Sequence, residues 1–145
     1  MASVNTSGAA TAVKTLLEGL SGMGLVQIGA PEAIGPQVSA WLTMGSANDT
    51  RKTTGTTQRQ QRLFVLFCYR IQGSAATAET TLMGLVDAFF AAVNGDKTLG
   101  GAVDSAEVNS LAADEPEYAL RAGQEFREYP MVVYYTQQGS YEVTP

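Results

Sequence analysis

The sequence predicts an α+β fold, with a mainly antiparallel or mixed β-sheet, two α-helices and a long β-hairpin loop. Two stretches carry apolar residues at helical spacing, and several others alternate between apolar and polar residues as strands do. A polar stretch, residues 45–61, lies between two of those strands. With 145 residues, the chain has the size of a single domain that buries its own core.

The first helix is predicted by apolar residues that share one helical face: Ala9, Val13, Leu16, Leu17 and Leu20. Ser7 or Thr11 is the expected N-terminal cap, and Gly22 is the expected stop. Residues 1–8 precede that face and are polar and small, so we expect an extended terminus. The short apolar run 24–28 is then predicted to enter the sheet as a strand or turn.

Residues 38–44 alternate and are predicted to form a strand with one buried face. Val38, Ala40, Leu42 and Met44 make up that face. Trp41 lies on the other, more polar face. It is expected to be either a partly covered surface aromatic or the anchor of an interface, because tryptophan is enriched in interfaces.

The most apolar run of the chain, residues 62–71, is predicted to be the central strand. Both of its faces are apolar. One face carries Leu63, Val65, Phe67, Tyr69 and Ile71, and the other carries Phe64, Leu66, Cys68 and Arg70. A sheet with helices on one side needs only one apolar face. We therefore expect the second face to be covered by this chain or by a neighbouring copy.

Residues 45–61 are predicted to form a projecting loop or an extended hairpin. Their cations, together with Arg62, make this the one basic region of a chain with a net charge of -5. The stretch is either a solvated hairpin tip or a loop that contacts an acidic partner surface or passing DNA. It lacks the phosphate-binding G-x-x-x-x-G-K-[ST] pattern. The candidate partner contacts of the chain are Trp41, Asp49, Arg51, Lys52, Arg59, Arg62 and Tyr141.

The second half begins with the strongest helical pattern, formed by Leu82, Leu85, Val86, Phe89, Phe90 and Val93. Ser74 is the expected cap, and Asn94-Gly95 is the expected end. A strand is predicted at about 103–111 and a last strand at 124–137. Pro130 inside the last strand favours an edge position or a bulge, and residues 138–145 are expected to be an extended terminus.

Composition excludes most familiar kinds of active site. The chain has no histidine and one cysteine, Cys68, so Ser-His, Cys-His and Cys/His zinc sites are ruled out. We expect Cys68 to be a buried small hydrophobe, and we expect no cofactor, no metal and no catalytic residue. No signal peptide and no membrane-spanning run are apparent. The acidic residues 114–117 are expected to lie in a solvated turn.

The order of elements and two motifs resemble those of a known family. Asp96-Lys97-Thr98-Leu99-Gly100-Gly101-Ala102-Val103 follows the second helix, and Gly123-Gln124-Glu125-Phe126-Arg127-Glu128-Tyr129-Pro130 opens the last strand. Over most of its length, the chain is similar to the tail terminator proteins of long-tailed, siphovirus-type bacteriophages. The resemblance implies two helices packed on the sheet, and no enzymatic activity or cofactor.

It also implies a structural virion protein of the tail and neck, assembled in the host cytoplasm. Such proteins form a ring of identical subunits, a homohexamer, that stops polymerisation of the tail tube. The implied partners are other copies of the chain, the tail-tube protein and the head-side connector or head-completion protein. DNA can pass through the lumen of such a ring, and no membrane is involved.

Two other interpretations remain open. The chain could be a different head–tail joining or tail-completion protein of the neck. It could also be a small enzyme that uses carboxylates, for which Asp104, Glu107 and Glu128 are the residues to test.

Overall fold

The computed structural model describes residues 4–31, 35–53, 55–71, 73–109, 117–121 and 124–140. These residues form two helices, α1 (Thr6–Glu18) and α2 (Ala75–Gly95). They also form six strands, β1 (Met23–Ile28), β2 (Val38–Thr53), β3 (Thr56–Arg70), β4 (Ser105–Asn109), β5 (Glu117–Arg121) and β6 (Gln124–Ser140). The predicted α+β fold is confirmed.

All six strands belong to one mixed sheet in the order β1-β2-β3-β6-β4. The strand β5 lies beside β6 on the same side as β4, so the six strands occupy five positions. Only the β1–β2 pair is parallel. The long strand β6 pairs with β3 from Phe126 to Ser140, and its other side pairs first with β5 and then with β4.

Both helices pack on one face of the sheet and bury a single main core with it. Its sheet residues alternate along β3 as predicted, with Leu63, Val65 and Phe67 fully covered. The predicted face of β2 is buried only up to Leu42, and the predicted burial of Met44 is wrong because that side chain is 70% exposed. The Phe67 and Phe89 rings meet edge to face, with their centres 5.9 Å apart. The helices contribute Ala9, Ala10, Val13, Leu17, Leu82, Leu85, Val86, Phe89 and Val93.

The start of α1 differs from the prediction. Asn5 caps the helix, because its side-chain oxygen accepts a hydrogen bond of 2.9 Å from the Gly8 amide. The caps predicted at Ser7 and Thr11 are therefore wrong, and residues 6–8 are helical rather than extended. The prediction for α2 is confirmed, since the Ser74 side chain accepts from the Thr77 amide.

The helix α2 also corrects the expectation that no segment could span a membrane. Ala75–Gly95 is 21 residues long and contains an 18-residue stretch with a mean hydropathy of 1.3, so its length and composition alone would allow it. In the fold, α2 lies on the sheet with Leu82 and Phe89 in the core and Met83 exposed. A core helix meets the same criteria of length and composition.

Pro130 lies in an interior strand, so the predicted edge position or bulge is wrong. The Glu125 carbonyl accepts from Ile71 of the β3 end, while the Thr136 carbonyl accepts from Asp104 on the opposite side. Because the β3–β6 register is continuous, the backbone amides and carbonyls of the even-numbered β6 residues point away from β3. The missing amide of Pro130 falls in the gap between β5, which pairs up to Glu128, and β4, which pairs from Val132.

Candidate interaction surface

A three-stranded arm is the main feature outside the core. It consists of residues 45–53 of β2, 56–61 of β3 and 136–140 of β6, paired along their lengths. The prediction of an extended hairpin at 45–61 is confirmed, and that of an irregular loop is wrong. The turn holds Gly55 at a φ of 85°, a conformation that glycine adopts without strain. The predicted terminus at 138–145 is β6 strand up to Ser140.

A bulge separates the arm from the body of the sheet. The β2–β3 register shifts by one residue between Met44 and Ala47. The buried Gln61 amide stabilises the bulge by donating to the carbonyls of Gly45 at 2.9 Å and Arg62 at 3.0 Å. The backbones approach so closely at Gly45 that a Cβ there would lie 2.9 Å from the Arg62 carbonyl oxygen.

The base of the arm is fixed to the helical layer by Gln137. Its side-chain oxygen accepts from the Asn5 amide at 3.1 Å. Its side-chain nitrogen donates to the carbonyls of Asn5 and Ala102 at 3.0 and 2.9 Å. The buried Gln137 side chain thus links β6 to the start of α1 and to the turn before β4. These hydrogen bonds hold the base of the arm in place.

Asp49 and Arg59 bind each other across the arm. The guanidinium donates Nε to Oδ1 at 2.7 Å and Nη2 to Oδ2 at 2.9 Å, a two-point ion pair. The hydrogen bond from Arg59 lowers the pKa of Asp49, and the same bond raises the pKa of Arg59. Arg59 also lies 3.4 Å from the Thr6 hydroxyl. The two predicted contact residues are thus engaged within the chain.

Arg51 and Lys52 are exposed near the tip of the arm. Residues 45–61 contain these two cations, a third cation, Arg59, and one carboxylate, Asp49, so their net charge is +2. The whole chain carries -5, so the remainder carries -7. The predicted basic region is therefore a projecting, hydrogen-bonded tip on an acidic protein, and its field can attract an acidic surface.

Trp41 does not lie at the surface. Its side chain is 5% exposed and packs with Cys68 and Phe126 in a small second cluster on the face opposite the helices. The prediction of a partly covered surface aromatic is wrong, and the buried indole offers no area for the predicted interface. The prediction was based on the polar sequence neighbours of Trp41. Its side chain is covered instead by residues of β3 and β6, which are distant in sequence. Cys68 is buried as predicted.

The second face of the central strand is only partly covered by the described chain. Phe64 and Leu66 remain half-buried, and Cys68 is sealed. The Arg62 guanidinium carbon lies 5.5 Å from the ring centre of Phe64 and 5.7 Å from that of Tyr134. Arg62 therefore covers aromatic surface of its own chain. The expected excess of apolar surface on this face is small rather than large.

A cleft of about 510 Å³ crosses the sheet where the arm begins. It touches β2, β3, β6 and β4, and it reaches Asn94 and Lys97 at the end of α2. Its lining combines amides, hydroxyls and the charged groups of Arg62, Lys97 and Glu107 with a similar amount of apolar surface. Such a mixed surface offers both hydrogen-bonding groups and apolar contact to an extended chain that lies across it.

The carboxylates of the enzyme interpretation do not meet. Glu107 pairs opposite Tyr134, whereas Glu128 lies six positions earlier on β6, which is about 20 Å along a strand. Asp104 is exposed, and its Oδ2 accepts from the Gln138 amide at 2.7 Å. Within the described ranges, no group of three or more acidic or cysteine side chains is arranged to hold a metal ion.

Of the seven candidate contact residues, the structure leaves Arg51 and Lys52 most accessible, next to the Asp49–Arg59 pair. Tyr141 and the acidic residues 114–116 lie outside the described residues. The sequence pattern did not indicate the third strand of the arm, residues 136–140 of β6, which pairs along the hairpin although it is distant in sequence. Comparison with models of known protein families and with curated protein sequences finds no match.

Proposed function

We propose that this protein is a structural subunit of a long-tailed phage particle. It forms a ring that ends the polymerisation of the tail tube and joins the tail to the head-side connector. The proposal starts from the resemblance of the motifs at 96–103 and 123–130 to tail terminator proteins. The arm is the single structural observation that supports it best.

The arm suits a subunit that contacts partners. It projects from a bulge, and two buried glutamines, Gln61 and Gln137, fix its base. It also carries exposed cations on an otherwise acidic chain. A two-helix body supplies a stable core, so the arm is not needed to complete it. A projecting element of this kind adds contact area and charge for a partner without weakening the fold.

A test is the effect of the purified protein on polymerising tail-tube protein from the same phage. We expect tubes to become shorter as the protein is added, with the protein bound at one end in electron micrographs. A charge reversal at the tip, Arg51→Glu with Lys52→Glu, is expected to weaken this effect. Lys14→Glu changes a partly exposed cation of α1 that pairs with Glu18, and it is the control for a charge reversal away from the arm, expected to act like the unaltered protein.

Tube lengths that do not respond to the folded protein at any concentration would contradict the proposal. Particles assembled without the protein distinguish the neighbouring role in the neck. Overlong tails are expected for a terminator, whereas normal tails on leaky or unfilled heads would favour a head–tail joining protein. Loss of an activity in Glu107→Gln or Glu128→Gln, with assembly intact, would favour the enzyme interpretation.

A further inference from the structure

One long edge of the sheet has no strand beside it among the described residues. The strand β1 pairs with β2 only from Val38 to Leu42, so the outer edge of residues 43–53 meets no described strand. The side chains along it are largely exposed, and Met44 is 70% exposed. The amides and carbonyls of such an edge can form hydrogen bonds with an added strand.

The outward-facing backbone groups follow from the hydrogen bonds. The Leu42 carbonyl accepts from Gly29, so even-numbered residues face outward before the bulge. The extra residue of the bulge reverses this order, so Ala47, Asp49 and Arg51 face outward after it. Asn48 and Thr50 face β3 instead.

The opposite edge of the sheet is formed by β4. Its odd-numbered residues face β6, so the backbone groups of Ala106 and Val108 face outward. No described strand pairs with that side. The two edges also match in direction, because β2, β3, β6 and β4 are successively antiparallel and β4 therefore runs against β2.

The charges of the two edges are complementary. Residues 45–61, which form the hairpin of the arm, carry three cations and one carboxylate, hence +2. Residues 96–109, which contain β4 and the turn before it, carry three carboxylates and Lys97, hence -2. The carboxylates Asp104 and Glu107 are exposed on the β4 side. An approach of arm to β4 between two copies is therefore attractive, whereas arm to arm is repulsive.

We propose that the outer edge of β2 in one copy pairs, antiparallel, with the outer edge of β4 in a second copy. The contact joins two different edges head to tail, with the helices of both copies on the same side. Repetition of such a contact closes into a ring when its rotation divides a full turn. This inference rests on the proposed ring and names the surfaces that form it.

Charge reversal tests the pairing by sedimentation and electron microscopy of the full chain. We expect Arg51→Glu with Lys52→Glu to raise the concentration needed for half assembly by roughly tenfold or more, and Glu107→Lys to act in the same direction. The combination of all three changes is expected to restore much of the assembly, since attraction is re-established. Circular dichroism confirms that each variant is folded.

Proline variants test the edge itself. Ala47→Pro removes an outward amide and is expected to leave the monomer folded while blocking assembly. Asn48→Pro is the neighbouring control, since it removes an amide that faces β3 and is expected to destabilise the fold. If Ala47→Pro also unfolds, the charge-reversal series alone decides.

The outcomes separate this inference from the proposed function. Rings that form equally well in all charge-reversal variants would overturn the β2–β4 pairing and leave the ring intact. Assembly that stops at two copies would overturn the pairing too, because it indicates a self-complementary contact. An unaltered chain that stays monomeric, with or without tail-tube protein, would overturn both.

Discussion

The body and the arm of the sheet use the same ladder of hydrogen bonds but differ in what stabilises them. In the body, residues 38–44 and 62–70 bury apolar side chains beneath two helices. In the arm, residues 45–53 and 56–61 present polar side chains, joined by an ion pair and by bonds at the base. Burial of a large apolar side chain stabilises a fold by roughly 1.5–3 kcal/mol, whereas an exposed ion pair contributes about 0–1 kcal/mol.

This difference indicates that the body determines the stability of the fold and that the arm is available to bind partners. Substitutions in the body are expected to change the free energy of unfolding, and substitutions at the arm tip are expected to change assembly with little effect on stability. The experiments below test that division, beginning with the largest expected effect.

Phe89→Ala is expected to lower the free energy of unfolding by about 3–5 kcal/mol, because it leaves a cavity against Phe67 in the sealed core. Met83→Ala on the same helix is the control, since Met83 is 61% exposed, and we expect a change within about 0.5 kcal/mol. Urea unfolding measures both. Equal losses in the two variants would show that α2 does not pack as described.

Gly45→Ala tests the junction between body and arm. The added methyl would meet the Arg62 carbonyl and the Phe64 ring, so we expect a loss of about 1–3 kcal/mol in the free energy of unfolding. Gly84→Ala lies in α2 with open space around it and is expected to stabilise by roughly 0.5–1 kcal/mol. If Gly45→Ala proved neutral in urea unfolding, the close approach at the bulge would be wrong.

Tyr135 provides a pH test at the base of the arm. Burial raises the pKa of its phenol above the ordinary value of 10.0. The neutral phenol is thus favoured in the folded state, and the stability this provides is present below pH 10 and is lost as the pH rises from 10 through the folded-state pKa. Unfolding of Tyr135→Phe is expected to depend less on pH in that range, and an identical pH dependence would contradict the burial.

The smallest effect is expected for the ion pair of the arm. The pKa of Asp49 is lowered in the fold, so its contribution is present above the ordinary value of 3.8 and is lost as the pH falls below it. Because the pair is partly exposed, Asp49→Asn is expected to cost about 0–1 kcal/mol at neutral pH and less in high salt. Thermal unfolding at several pH values measures it, and a loss comparable to Phe89→Ala would contradict the division.

The sequence pattern was informative where one periodic stretch determines an element. The α2 face and the alternation of β3 followed from spacing alone. The features that it could not provide depend on segments distant in sequence. Trp41 is covered by Cys68 and Phe126, and the arm becomes a sheet because β6 pairs along it.

Two predictions made from residue type alone, the cap of α1 and the position of Pro130, were wrong. Asn5 outcompetes Ser7 as the cap of α1, a choice that depends on which side chain reaches the Gly8 amide. Pro130 occurs in an interior strand because its missing amide faces the gap between β4 and β5. Neither arrangement can be read from the residue type alone. The contact residues were predictable only as a basic stretch, since the pairing of Asp49 with Arg59 requires the hairpin register.

Ring formation is the central claim, and electron microscopy of the purified full chain tests it most directly, with sedimentation over a range of concentrations. The account predicts closed rings with a constant number of subunits, six by the resemblance, that become more abundant at higher concentration or with tail-tube protein. Monomers at every concentration, unchanged by that partner, would contradict it.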